Sequence, residues 1–152
     1  MNVYEKSIQV LTELFSKDFT FSLATVQGDT PVVRVVDTYY DNNVFWIVTY
    51  ANTNKVKEIT ANPKVALCND FYSFKGKAFN VGHPLHKDNQ EIREKLIEVF
   101  KPWYFAHNDE NDEDMCYVKV ELEYGFFYQD RKGYQVDFIN KTAEEFPFNV
   151  DI

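Results

Sequence analysis

The sequence predicts a single β-rich domain of the α+β class. Runs of β-branched and aromatic residues, bounded by turn formers, recur along the chain as in strands, and three stretches carry a helical pattern. Aromatic residues make up 17% of the sequence, which suits a β-rich core and also an aromatic-lined ligand cleft. A chain of 152 residues is long enough for a full core, so we expect one domain over residues 1–152.

The composition argues against several classes of partner. The formal net charge is −8, whereas nucleic acids and anionic membranes select basic surfaces. No apolar run approaches the roughly 20 residues of a membrane helix, and the first residues do not have the pattern of a secretory signal. Cys68 and Cys116 lie inside predicted strands, where we interpret them as small core residues. We therefore expect a cytoplasmic protein that binds neither nucleic acid nor membrane.

The first helix and the first strand are marked by capping and alternation. Asn2 and Glu5 have the spacing of a capping box, which predicts a helix to about Ser16. Its apolar stripe comprises Val3, Ile8, Leu11 and Phe15, broadened by Val10 and Leu14. The run from Phe19 to Val26 predicts a strand, and a glycine-containing turn follows it.

The segment from Pro31 to Leu67 predicts two strands, a short helix and a further strand. Around the single arginine the residues alternate between the two faces of a strand: Val32, Arg34, Val36 and Thr38 share one face, and Val33 and Val35 share the other. Residues 41–43 are turn formers, and Val44 to Tyr50 has the composition of a strand buried on both faces. Thr53 is placed to cap a helix through Ile59.

The rest of the chain continues that last strand and predicts three further strands and one long helix. The strands are Val65 to Phe71, Phe74 to Val81, Met115 to Gln129 and Gly133 to Ile139, and the helix begins at an Asp88–Glu91 capping pattern and ends at Pro102. Gly76 is expected at a bulge or a close approach, and Gly125 at a break in the long strand. No element is predicted for the tail beyond Ile139.

The polar residues with most chemical content lie around the start of the short helix. Lys55 falls in its first turn, where the helix dipole disfavours a cation by some tenths of a kcal/mol. A bound anion would reverse that sign, because helix N-termini bind phosphate, and Thr53 offers a hydroxyl there. Arg34 has a forked guanidinium for the same phosphate. In the alternative interpretation, Lys55 is solvated and Arg34 pairs with a carboxylate.

The same segment resembles the flavin-binding core of the pyridoxamine-phosphate-oxidase-like split-barrel proteins. The resemblance rests on four motifs in order: PVVRVV, FWIVTY, TNK and ITANPKVAL, within a similarity over roughly residues 1–140. It implies a mainly β fold, a six-stranded antiparallel Greek-key split β-barrel with flanking helices, which forms a homodimer with FMN at the subunit interface. The cofactor-binding residues that it implies are Arg34, Thr53 and Lys55 at the phosphate, Thr49 at the ribityl chain or ring edge, and Val36 beside them.

Motifs of other enzyme classes are missing from the sequence. There is no nucleophile elbow, P-loop or GxGxxG turn, and His83 and His86 have no third ligand at zinc spacing, so we predict no metal site and name no catalytic residue. A flavin supplies its own redox chemistry, so a flavoprotein needs no such motif.

The resemblance predicts an oxidoreductase that passes electrons from a reduced nicotinamide to a small, unidentified acceptor. The alternative is a non-catalytic or stress-related protein that holds a flavin, a haem or a deazaflavin. True pyridoxamine-phosphate oxidases carry a C-terminal Arg-x-His element, and no Arg-x-His occurs in this chain. The length and the N-terminal helix are closer to the small subgroup of general stress proteins and nitroimidazole-resistance reductases.

Overall fold

A computed structural model describes residues 1–150 of the protein. Its sheet starts with three antiparallel strands that follow one another along the chain. The last two residues of the predicted domain lie outside this range. The elements, in chain order, are α1 (Val3–Phe15), β1 (Phe19–Gln27), β2 (Thr30–Asp41), β3 (Val44–Tyr50), α2 (Asn54–Ala61), β4 (Lys64–Asn69), β5 (Tyr72–Asn80), a 3-10 turn (Lys87–Asn89), α3 (Gln90–Val99), α4 (Tyr104–His107), β6 (Met115–Gln129), β7 (Lys132–Asp137) and β8 (Thr142–Pro147).

Six of these strands close into an antiparallel barrel. Strands β1, β2 and β3 form a meander, and the crossover through α2 returns the chain so that β4 pairs with β1. This arrangement is a Greek key. Strands β5 and β6 continue the sheet, and β6 pairs with β3 to close it, while β7 and β8 extend it beyond β6. The predicted six-stranded Greek-key barrel with flanking helices is therefore confirmed, and two further strands extend the sheet.

The barrel interior is filled by aromatic rings from the strands and from α1. Phe15, at the end of α1, is fully buried, and its ring centroid lies 5.5 to 5.7 Å from those of Phe21, Phe45 and Phe74. The predicted capping box of Asn2 and Glu5 is present at the start of α1. On the other side α2 packs against β1 and β5 and buries Val56 and Ile59. Helix α2 is thus held against the strand that precedes the arginine strand.

Two positions in the sheet require glycine. A Cβ at Gly76 would collide with the backbone carbonyl of Glu121, and the register between β5 and β6 shifts there, so the predicted close approach and bulge are both present. Gly125 was predicted at a break, yet β6 runs through it without interruption. The glycine is needed because a Cβ would lie 2.6 Å from the ring of Phe74.

A second, smaller core lies outside the barrel. Helices α3 and α4 cover the outer face of β3 and β6 with a cluster of buried residues: Ile92, Leu96, Phe100, Tyr104, Met115 and Tyr117. Strand β3 is therefore fully buried only toward the barrel, and its outward side chains are half-buried, because one helix layer covers them incompletely. No helix within residues 1–150 is long and apolar enough to cross a membrane.

Two further local predictions were wrong, and one strand was missed. The 3-10 turn before α3 is capped by the His86 ring, which accepts from the Asp88 N–H, so the predicted Asp88–Glu91 capping box does not form. Strand β8 was not predicted. Cys68 is exposed, because its side chain points out of the barrel, whereas Cys116 is buried as expected; both cysteines are free.

Candidate functional site

Arg34 points inward from β2, on the predicted strand face, and is held by an ion pair. Its Nη2 lies 2.6 Å from Glu58 Oε1. Its Nη1 donates to Thr25 Oγ1 at 2.6 Å and to the Leu23 carbonyl oxygen at 3.3 Å. The interpretation in which Arg34 pairs with a carboxylate therefore describes this structure.

Glu58 is the residue that the sequence analysis missed. It lies on α2 and is 8% exposed, and it reaches Arg34 because α2 packs back across β1. Thr25 Oγ1 donates to Glu58 Oε1 at 2.7 Å. This hydrogen bond, together with the Arg34 guanidinium, lowers the pKa of Glu58 below its ordinary value. The carboxylate is therefore ionised at neutral pH.

Lys55 is not a freely solvated helix residue. It is the second residue of α2, and its Nζ donates to Thr49 Oγ1 on β3 at 2.6 Å. Burial, and then the positive charge of Arg34, lower the pKa of Lys55 below 10.5. The structure thus brings Lys55, Thr49 and Arg34 into one site.

The N-terminus of α2 has no side-chain cap. Thr53 occupies the N-cap position with extended backbone, as predicted, but its hydroxyl donates backwards to the Tyr50 carbonyl oxygen at 2.8 Å. The first backbone N–H groups of the helix therefore have no side-chain acceptor within residues 1–150. Val36 lies two residues beyond Arg34, only 7% exposed, and its side chain belongs to the barrel core.

These residues fit a phosphate group. The two cations and the Glu58 carboxylate give the cluster a net charge of about +1, next to an uncapped helix N-terminus that attracts anions. Within residues 1–150, Arg34 Nε makes no hydrogen bond, and no buried side-chain nitrogen or oxygen lacks a partner. The Nε–H is therefore accessible to solvent and open to an anion.

A second polar network lies in the smaller core and ties the acidic loop to α3. Glu110 accepts from Arg93 Nε at 2.8 Å, from Arg93 Nη2 at 2.7 Å and from the Tyr104 hydroxyl at 2.9 Å. Tyr104 is also hydrogen-bonded to the Tyr117 hydroxyl. Burial raises the pKa of Tyr117 to about 12, and burial also raises that of Tyr104. Both hydroxyls are therefore protonated at neutral pH, so this network anchors the loop.

Neither histidine of the HPLH segment lies in a metal cluster. His83 Nδ1 accepts from the Leu85 N–H, and His86 Nδ1 accepts from the Asp88 N–H. Both rings thus stabilise their own loop. The part of the chain that the structure describes holds no group of three His, Cys, Asp or Glu side chains that could bind a metal.

A cleft of about 580 Å³ lies on the outer face of β5 to β8, away from these side chains. Its floor carries two outward rings, Tyr124 and Phe126, with Lys75 and Glu144 among the polar residues around them. None of the five predicted cofactor residues lines it. The cleft is therefore separate from the charged cluster.

The fold is that of a split-barrel protein, with Arg34, Lys55 and Glu58 clustered near the start of α2. The family model described as pyridoxamine 5'-phosphate oxidase matches residues 8–128, and the chain belongs to that family. The resemblance in the sequence is thereby confirmed. A search of curated proteins found no match.

Solved structures of similar fold share little sequence with this chain. General Stress Protein 26 from Bacillus anthracis str. Sterne is 19% identical, with a TM-score of 0.62 over 90% of this chain and 100% of that one. A pyridoxamine 5'-phosphate oxidase-related, FMN binding protein from Nostoc punctiforme PCC 73102 is 13% identical, with a TM-score of 0.60 over 98% of each chain. An F420 reductase is 23% identical, with a TM-score of 0.56 over 73% of this chain and 91% of that one. At these identities the likeness concerns the fold alone.

Proposed function

We propose that this protein is an FMN-binding oxidoreductase. The observation that carries the proposal is the cluster of Arg34, Lys55 and Thr49 beside the uncapped start of α2, because a phosphate is the group that such a cluster suits. The family supports a flavin as the bearer of that phosphate, since a structurally similar member is described as FMN binding.

In this proposal each residue has a distinct task at the cofactor. Lys55 supplies a point charge and keeps two N–H groups for phosphate oxygens after its bond to Thr49. Arg34 offers the Nε edge of its guanidinium to the phosphate. Thr49, near the end of β3, lies toward the ribityl chain or the ring edge of the flavin. Thr53 contributes only after its hydroxyl turns away from the Tyr50 carbonyl. Val36, whose side chain is packed in the barrel core, meets the cofactor through its backbone only.

The reaction we propose is electron transfer from a reduced nicotinamide to a small acceptor. The flavin supplies the redox chemistry when bound. The residues of this chain bind and orient it and shield it from water.

A second candidate function is binding of a related planar cofactor without turnover. The fold of an F420 reductase is similar to that of this chain, which favours a deazaflavin among the alternatives. The absorbance spectrum of protein purified without added cofactor separates these cases, since a flavin, a deazaflavin and a haem differ in their visible bands. We expect a flavin spectrum. Photoreduction followed by addition of small acceptors then distinguishes an enzyme, which is rapidly reoxidised, from a carrier.

We also propose that the protein is a homodimer. Val33 and Val35 point out of the barrel and are 66% and 68% exposed. Across the sheet, Val33 lies opposite Ala24 and Val35 opposite Ser22, so small side chains surround the two valines. We call these four residues the valine patch. Two exposed valines with small neighbours suit an interface with a second copy of the chain.

A further inference from the structure

Glu58 is the member of the charged cluster to which the proposed function gives no task. Its Oε1 accepts from both Arg34 Nη2, at 2.6 Å, and Thr25 Oγ1, at 2.7 Å. Thr25 Oγ1 in turn accepts from Arg34 Nη1 at 2.6 Å. The three side chains therefore form a closed ring of hydrogen bonds between β1, β2 and α2.

This ring engages only one edge of the guanidinium. Nη1 and Nη2 are directed to Thr25 and Glu58, while Nε has no acceptor within residues 1–150 and is open to solvent. Arginine binds carboxylate and phosphate oxygens in pairs through such an edge, provided that the plane of the guanidinium is fixed. Fixing that plane is what a two-point attachment to Thr25 and Glu58 accomplishes.

We propose that Glu58 is a positioning residue for phosphate recognition: together with Thr25, it orients Arg34 so that the Nε edge faces the FMN phosphate. The inference rests on the proposed function, because FMN is the ligand whose phosphate Arg34 would bind. Glu58 itself, as a carboxylate, does not bind the phosphate.

The proposal predicts a change in FMN affinity on removal of Glu58 that is opposite in sign to the change expected from its charge alone. If Glu58 acted only through its charge, it would repel the phosphate, and its removal would strengthen FMN binding. If it positions Arg34, its removal weakens FMN binding although a negative charge has been taken away. Riboflavin lacks the phosphate, so the ratio of FMN to riboflavin affinity isolates the effect from changes in the ring site or in folding.

The experiment is titration of apoprotein with FMN and with riboflavin, followed by flavin fluorescence quenching. We expect Glu58→Ala to lower the affinity ratio about tenfold, which corresponds to one charge-assisted hydrogen bond. Glu58→Gln keeps an oxygen for Nη2 and should retain most of the ratio. Thr25→Val removes the other attachment point and should lower the ratio, whereas Thr20→Val, an exposed position on the same strand, should not.

A ratio that rises or stays unchanged in Glu58→Ala, in protein whose ratio falls with Lys55→Ala, overturns the positioning role and leaves the proposed function standing. If Glu58→Ala does not fold, Thr25→Val decides: an unchanged ratio overturns the proposal. Equal losses of FMN and riboflavin in these variants also contradict it. A wild-type protein without preference for FMN over riboflavin removes both proposals.

Discussion

Lys55 reaches from the first turn of α2 to β3, where its Nζ donates to Thr49 Oγ1 at 2.6 Å. A lysine in the first turn opposes the helix dipole, and this one is also partly buried and close to Arg34. The contact thus places an energetically disfavoured positive charge at a helix N-terminus that has no side-chain cap. A bound phosphate would offset the unfavourable helix dipole and the repulsion from Arg34.

The first prediction concerns pH. The pKa of Lys55 is lowered by burial and by the Arg34 charge, and a phosphate beside Nζ favours the charged form, so binding raises that pKa. The preference for FMN over riboflavin should therefore be greatest while Lys55 is protonated in the free protein. It should decline as the pH rises through the lowered pKa, beginning below 10.5.

Flavin titrations at a series of alkaline pH values test this, with riboflavin as the control for ionisation of the ring. Lys55→Arg should flatten the profile, because a guanidinium stays charged throughout. A wild-type affinity ratio that is constant across the alkaline range contradicts the assignment of Lys55 to the phosphate.

The second prediction concerns the valine patch. A homodimer should bury it within an interface of about 2,000 Å² or more, as obligate dimers commonly do. Val35→Glu should therefore shift the protein toward the monomer in light scattering, since it buries an unpaired charge. Ile139→Glu is the matched control, because Ile139 is 57% exposed in a turn outside the patch. A wild-type monomer that still holds flavin would refute the dimer.

The third prediction concerns the anchored loop. Removing Glu110 leaves Arg93 and the Tyr104 hydroxyl without their shared acceptor, so Glu110→Ala should lower the free energy of unfolding by about 1–3 kcal/mol. Glu113→Ala, in the same loop and exposed, should be nearly neutral. Chemical denaturation measures both, and equal effects of the two changes would show that the network does not stabilise the fold.

The same network has a pH signature. The Arg93 guanidinium lowers the pKa of Glu110 below 4.5. A lowered carboxyl pKa gives stability that is present above the unfolded value and is lost as the pH falls through the folded value. The difference in stability between wild type and Glu110→Ala should therefore shrink below about pH 4.5.

The fourth prediction is that pyridoxamine phosphate is not a useful substrate. The chain belongs to the oxidase family but contains no Arg-x-His element. We expect turnover well below about 1 per second, the lower end for ordinary enzymes. An oxidase assay at or above that rate, with FMN bound, would show that this chain completes the substrate site by other residues.

Most strands of the barrel could be predicted because their signals are local, whereas the closed barrel itself was implied by the family resemblance. Alternation around Arg34 placed that side chain on one face of β2, and the structure shows that this face points inward. Consecutive asparagines marked the β2–β3 turn, where Asn42 and Asn43 both adopt positive φ. Strand β8 was missed because its six residues, TAEEFP, are polar and end in proline. Its pairing with β7 depends on tertiary contacts.

The candidate site was only partly predictable, because some of its contacts depend on tertiary packing. The first-turn position of Lys55 follows from helix spacing, and its contact with Thr49 joins residues six apart in sequence. Glu58 meets Thr25 across 33 positions, so only the packing of α2 on β1 reveals it. Thr53 was correctly predicted at the N-cap position. Its hydroxyl faces Tyr50 instead of the helix, because the N-cap position alone does not determine the side-chain rotamer.

The most direct measurement compares two lysines on α2. Lys55 contacts Thr49 in the charged cluster, whereas Lys57, two residues later, is exposed. In titrations of apoprotein, Lys55→Ala should weaken FMN by roughly 10- to 150-fold, as loss of a charge-assisted hydrogen bond worth about 1.5–3 kcal/mol requires. Its riboflavin affinity should change little, and Lys57→Ala should leave both ligands unaffected. Unchanged FMN binding in Lys55→Ala would contradict a phosphate site at this helix.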